Sequence, residues 1–238
     1  MSRERRIIFL IVVLAVFAAE ARNLNDKLMN RPYADLRAWH LGFSVGMQFQ
    51  DIDFSHTGEA TYDGTTWYME QPSISPGFCV NALVDFRLSR FFNLRFSPGL
   101  YFGSREIKMI ESTGQETASQ TLKSTYVVVP IDLKFSGLRY RNSRPYISAG
   151  LMPAFDIAKK RSNLLELTTA DCYLTVGLGC DFYLPYFKFI PEIKFCFGLA
   201  DVLRHDRPDL EEDPMSYRFT QSIKRAHSSM VVLTFYFE

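Results

Sequence analysis

The chain has little of what most function classes require. Beyond its first two dozen residues, no run of about 18 residues is free of charge, which excludes a membrane-spanning helix in the body of the protein. Neither sign of charge is in excess: Lys+Arg number 27 and Asp+Glu 26, for a formal net charge of +1. That balance gives no sign of a nucleic-acid or acidic partner. Only four cysteines are present, Cys79, Cys172, Cys180 and Cys196, and they follow neither a C-x-x-C nor a Cys/His ligand spacing. They read as small packing residues rather than a metal site, with pairing left open for an oxidising compartment. Histidine is equally sparse, which limits the imidazole bases to His40, His56, His205 and His227.

What is abundant is aromatic. The chain has 21 Phe and 12 Tyr, and aromatics make up 15% of it, yet the mean hydropathy is only -0.06. Many aromatics at average hydropathy fit strands in which each lipid-facing residue is offset by a polar one facing inward. The N-terminus fits export. Three arginines lie between Ser2 and Arg6, Ile7 to Ala19 is apolar throughout, and Ala19-Glu20-Ala21 gives a small-x-small cleavage pattern. Residues 1–21 therefore read as a signal peptide, 22–38 as a polar, patternless periplasmic lead-in, and 39–238 as one β domain. The apolar run falls short of the roughly 20 residues that span a bilayer, so a signal anchor is the rival for that segment.

Alternation with a period of two begins at His40. Leu41, Phe43, Val45, Met47 and Phe49 share one face of an extended segment, and Gly42, Ser44, Gly46 and Gln48 share the other. The same pattern recurs at about 74–88, 93–102, 126–135, 146–157, 172–184 and 187–199. It closes at 228–237, where Val231, Leu233, Phe235 and Phe237 oppose Val232, Thr234 and Tyr236. The connections run long, short, long, short, medium, short, long, with 51–72, 105–122 and 201–225 as the long polar ones. Tight turns at one end and longer loops at the other predict an all-β, eight-stranded antiparallel up-and-down transmembrane barrel of the outer-membrane type. A soluble sandwich gives no reason for that alternation. A soluble lipocalin-like barrel would need an apolar inner face.

The inner face is not apolar. Parity points Asp85, Asp132, Asp181 and Glu192 inward, together with Arg87, Arg95, Lys134 and Lys194. Each would cost a few kcal/mol on the lipid face at mid-membrane (about 2–4 for a base). Eight strands leave an interior that side chains can fill, so the eight charges predict an ion-paired, plugged lumen without a pore. A bulge in any strand would reverse the facing of everything beyond it.

Chemistry is hard to find. A Ser–His–acid set across Ser55-His56 and His205-Asp206 could deacylate lipid, but loop histidines are mostly solvated and nothing in the spacing singles these out. The acidic run Asp206 to Pro214 lacks the order of acids and glycine that an EF-type calcium loop needs. No catalytic, cofactor or metal residue is assigned.

Four segments carry a family resemblance: Arg144-Pro-Tyr-Ile-Ser-Ala-Gly-Leu-Met-Pro-Ala-Phe-Asp156, Leu167 to Asp181, Pro191-Glu-Ile-Lys-Phe-Cys-Phe-Gly198 and Ser228 to Phe237. Together the chain resembles the PorT family of outer-membrane barrels. The resemblance implies a non-enzymatic component needed for protein export by the type IX secretion system, with its associated gliding motility. Its partners would be outer-membrane lipids and other components of that system. The alternatives are a lipid A-modifying barrel enzyme and a surface adhesin barrel whose long loops bind.

Overall fold

The computed structural model describes residues 29–56, 67–70, 76–111, 116–158, 168–200, 202 and 223–238. The signal peptide, His205 and the acidic run from Asp206 to Pro214 lie outside the described residues.

Eleven strand segments follow in chain order: β1 (Trp39–His56), β2 (Trp67–Glu70), β3 (Pro76–Arg87), β4 (Phe92–Phe96), β5 (Gly99–Glu111), β6 (Glu116–Val128), β7 (Ile131–Ser136), β8 (Ser143–Asp156), β9 (Ala170–Tyr183), β10 (Lys188–Gly198) and β11 (Ile223–Phe237). They make eight crossings, because two crossings are each interrupted by a proline and β2 is only a four-residue addition paired to β5. Pro98 separates β4 from β5, and Pro130 separates β6 from β7. Proline has no N–H to give a ladder, so the pairing lapses for a step. The register does not. Val84 pairs with Phe96 and Asn81 with Gly99, three residues on along one strand and three back along the other. Phe96↔Ile131 and Gly99↔Val128 keep the same step on the next seam. Each proline carbonyl still accepts from a neighbouring strand, Pro98 from Ala82 and Pro130 from Ser97.

All pairings are antiparallel, and they run round a ring. β3 pairs with β1 and with the β4–β5 crossing, which pairs with the β6–β7 crossing. That crossing pairs with β8, then come β9, β10 and β11. The ring closes where β11 pairs with β1 from Phe43↔Phe237 to His56↔Ile223. Closure leaves no free edge along the wall, the condition for a sheet to stand in lipid. The molecule is an all-β, eight-crossing antiparallel up-and-down barrel.

Burial follows parity round the wall. In β7 exposed and buried residues alternate without a break from Ile131 to Ser136. In β8 the inward Tyr146, Ser148, Met152 and Ala154 are buried, while Ile147, Leu151 and Phe155 are exposed. The outer wall is accordingly apolar, with Leu41, Phe43, Met47, Phe78, Leu133, Val176, Leu178 and Phe197 all exposed. At the end where the first and last crossings meet, called the terminal end, aromatics pair on the outside. Phe43 stacks on Phe237 at 5.3 Å, Phe189 on Phe235 at 5.8 Å, and Phe92 tilts against Phe135 at 5.1 Å. This is the aromatic girdle expected where a barrel wall meets an interface.

Two expectations need correcting. The polar stretches at 51–72 and 105–122 are strand in part: β1 continues to His56, β5 and β6 form a long hairpin, and β2 adds to β5 from Trp67↔Glu111 to Glu70↔Lys108. These segments lie past the roughly 9–11 residues that a crossing needs, so no lipid-facing alternation is required there and none marks them. The lead-in is not patternless either. Ala34–Leu36 forms a 3-10 turn that buries Ala34 at the terminal end.

Candidate functional site in the lumen and at the terminal mouth

The strands place seven of the eight inward-parity charges in one connected cluster. Asp85 on β3 and Arg95 on β4 are register partners, as are Arg95 and Asp132 on β7. The Arg95 guanidinium lies 3.4 Å from an Asp85 carboxylate oxygen and donates to Glu192 at 2.7 Å and to the Tyr146 hydroxyl at 3.1 Å. The Tyr146 hydroxyl in turn donates to Glu192. Asn93 donates to the other Asp85 oxygen at 2.6 Å. Glu192 is 3.3 Å from the Lys194 ammonium, which also pairs with Asp132. Asp132 accepts from the Thr175 hydroxyl at 2.7 Å. Lys134 donates to both oxygens of Asp181 at 2.7 and 2.8 Å, and its ammonium sits 4.0 Å from the centre of the Tyr146 ring.

Arg95 is fully buried, with aromatic rings on two sides: Tyr146 at 5.1 Å and Tyr236 at 4.7 Å. A guanidinium held by two carboxylates and two rings is satisfied in nearly every direction it can donate or be stacked upon. Gly179, the register partner of Tyr146, makes room for it. A Cβ there would overlap the tyrosine ring.

Arg87 is not brought into the cluster. It shares the inward parity, but it sits at the terminal rim and donates to the carbonyls of Ser89 and Leu36. The cluster thus holds four acids against three bases.

On the far side of the charges lies a buried layer that includes Tyr101, Tyr126, Val128, Met152, Tyr173, Cys79, Cys196 and Met230. Leu83, Tyr146, Ile190 and Tyr236 pack among the charges toward the terminal end. Side chains fill both levels of the lumen, as the diameter of an eight-stranded barrel allows. All four cysteines are free thiols; Cys79 and Cys196 are buried in the interior, while Cys172 and Cys180 are half-buried.

The terminal mouth is held by contacts that sequence reasoning missed. Asp35 accepts from the Tyr183 hydroxyl and lies 3.6 Å from Arg139 and 3.5 Å from Arg144. Arg139 also donates to the carbonyls of Asn30 and Arg31 and stacks on Tyr183 at 3.5 Å. The Asn30 amide bonds the Asn142 side chain at 2.9 Å. The lead-in is thereby strapped across the opening. Only one signal hints at it: the basic turn from Arg139 to Arg144 is opposite in sign to Asp35, the acid of the described part of the lead-in.

His40 and Lys188 converge on Glu238, past the end of β11. The His40 ring nitrogen Nδ1 is 2.7 Å, and the Lys188 ammonium 2.6 Å, from the same Glu238 oxygen. Burial pushes the Glu238 carboxyl up, but the His40 hydrogen bond and the Lys188 charge outweigh it and hold it well below the usual carboxylate range. His227 is an exposed residue of β11, paired with Asp53 on β1. The side chains of Ser55 and His56 lie outside the described residues. Among the described residues no three His, Cys, Asp or Glu side chains group as metal ligands.

The fold resembles small outer-membrane barrels. Neisserial surface protein A is 8% identical, with 84% of this chain and 98% of that one covered at a TM-score of 0.46. OprG of Pseudomonas aeruginosa is 11% identical, covering 84% and 91% at 0.46. Ail, the attachment invasion locus protein of Yersinia pestis, is 10% identical, covering 84% and 99% at 0.37. No curated protein matches the chain. Residues 19–204 match the family described as "Outer membrane protein beta-barrel domain". On that match, over an alternating closed wall with its charges inside, the chain belongs to the outer-membrane β-barrel domain family and is an outer-membrane protein.

Proposed function

We propose that this barrel is a non-enzymatic component of the type IX secretion system that acts through protein contacts rather than as a conduit. The observation that carries the reading is the filled lumen: buried, ion-paired charges and a tyrosine-rich layer block the axis. A barrel closed in this way has its wall, its loops and its terminal mouth left for function. The resemblance to the PorT family, densest from Arg144 onward, supplies the secretion assignment, and with it a role in gliding. The termini and short turns face the periplasm in this reading, as the longer connections leave from the opposite end.

Deleting the gene should leave cargo with its C-terminal signal domain unprocessed inside the cell, and reintroducing the intact barrel should restore export. Normal cargo secretion in the deletion strain refutes the assignment. Removing residues 201–225 while secretion continues, with loss of surface binding, would turn that loop toward the adhesin reading. An altered lipid A mass spectrum on substituting His56 and His205 would turn the protein toward the lipid A enzyme.

A further inference from the structure

The terminal rim is strongly basic. Arg31, Arg37, Arg87, Arg90, Arg139, Arg141, Arg144 and Lys188 lie around it, against Asp35 and Glu238 as the acids of the described rim. Arg139 and Arg144 are engaged by Asp35, Arg87 by carbonyls, and Lys188 by Glu238. Arg37 is exposed and makes no ion pair among the described residues.

Beside Arg37 the rim opens into a cleft of about 540 Å³, lined by Arg31, Arg37, Ala38, Trp39, His40, Leu41 and Glu238. Its floor and its lip differ in chemistry. Trp39 and Leu41 have the outward parity of β1 and are each 59% exposed, on the wall that faces lipid. They stand beside Phe86 and Val84 of β3, their register partners. Past Ala38 the guanidiniums begin at Arg37, two residues from Trp39. The one carboxylate in the lining does not cancel them: the Glu238 side chain is 3% exposed and already paired with His40 and Lys188. Arg31 reaches over it to donate to the Glu238 carbonyl at 3.1 Å.

We infer that this cleft is a binding site for the headgroup of an anionic phospholipid, with the phosphate between Arg31 and Arg37 and an acyl chain against Trp39 and Leu41. An exposed indole at the bilayer surface beside guanidiniums that no described carboxylate side chain neutralises matches both parts of such a lipid. A free inorganic anion would have no use for the apolar floor. The site rests on the barrel geometry and not on the secretion reading, so the failure of either leaves the other standing.

Trp39 is itself a reporter, since the chain has only two tryptophans. The Trp67→Phe variant of the full barrel, reconstituted in vesicles of zwitterionic lipid, is doped with brominated phosphatidylglycerol or, in parallel, brominated phosphatidylcholine. Phosphatidylglycerol should quench Trp39 preferentially, by about fivefold in relative association for each guanidinium engaged. Arg31→Gln with Arg37→Gln should bring the two lipids to parity, while Arg90→Gln on the same rim should leave the preference intact. Equal quenching by both lipids before any arginine is changed overturns the site, as does a preference that survives the double substitution. A preference abolished by inorganic phosphate at matched ionic strength assigns the arginines to a free anion and overturns the lipid. Retained heat-modifiability on gels certifies that each variant is folded.

Discussion

Without the Arg95 guanidinium, Asp85 and Glu192 would share a buried space with no common cation. The cost of drying the members of a buried ion pair can match or exceed their attraction, but stranding one member is expensive. Arg95→Met should therefore destabilise the barrel by about 3–5 kcal/mol, read as a lower urea midpoint in micelles. Adding Asp85→Asn and Glu192→Gln should recover most of the loss. If the triple variant is no better than the single one, the cluster is not the cause. A second residue-scale expectation concerns acid. The folded chain keeps Glu238 ionised where the unfolded chain would take a proton, so its contribution is complete above the ordinary glutamate range and is lost progressively as pH falls from that range toward the lowered folded-state value. Between about pH 6 and pH 3 the wild type should lose more stability than Glu238→Gln does, measured as the change in urea midpoint.

Along a single crossing, the period of two carries almost all the information. It is enough to place Asp132 and Lys134 inside and Leu133 outside from the residues alone, and the structure puts them there. A one-residue slip has the largest effect an element can suffer. Inserting one alanine after Leu133 should turn Lys134 and Ser136 toward lipid, and the protein should fail to reach its heat-modifiable folded form. An insertion of two residues at the same point preserves the facing of Lys134 and Ser136 and should be the milder. Periodicity is silent elsewhere. It does not say that Pro98 and Pro130 divide two crossings, because a proline leaves the alternation untouched while removing a donor. It does not track β1, β5 and β6 past the bilayer, where facing no longer matters. It also misses the turn at Ala34–Leu36, whose docking depends on Arg139, more than a hundred residues away.

For the molecule as a whole, parity says which charges go inside but not which ones meet. Arg95 reaches Glu192, nearly a hundred residues on, because the strand stagger brings β4 and β10 to one level across the lumen. Stagger is set by all eight seams at once. Arg87 has the same facing and still leaves for the rim, since it lies at the last step of β3. The filled axis has an electrical consequence. The purified protein in a planar bilayer should give no steady ion current, and Tyr101→Ala with Tyr173→Ala, which thins the tyrosine layer, should raise leakage first. Steady conductance by the unaltered protein would contradict the packed lumen.

The seam between β1 and β11 joins Phe43 to Phe237, so closing it loops nearly the whole chain. Contacts so distant in sequence are the slowest to find, and they bring no reward until the loop is shut. The wall is therefore an open sheet with two unpaired margins until the final segment arrives. Whatever helper inserts this protein must shield both margins at once, and the last strand is the natural handle for it to grip and release.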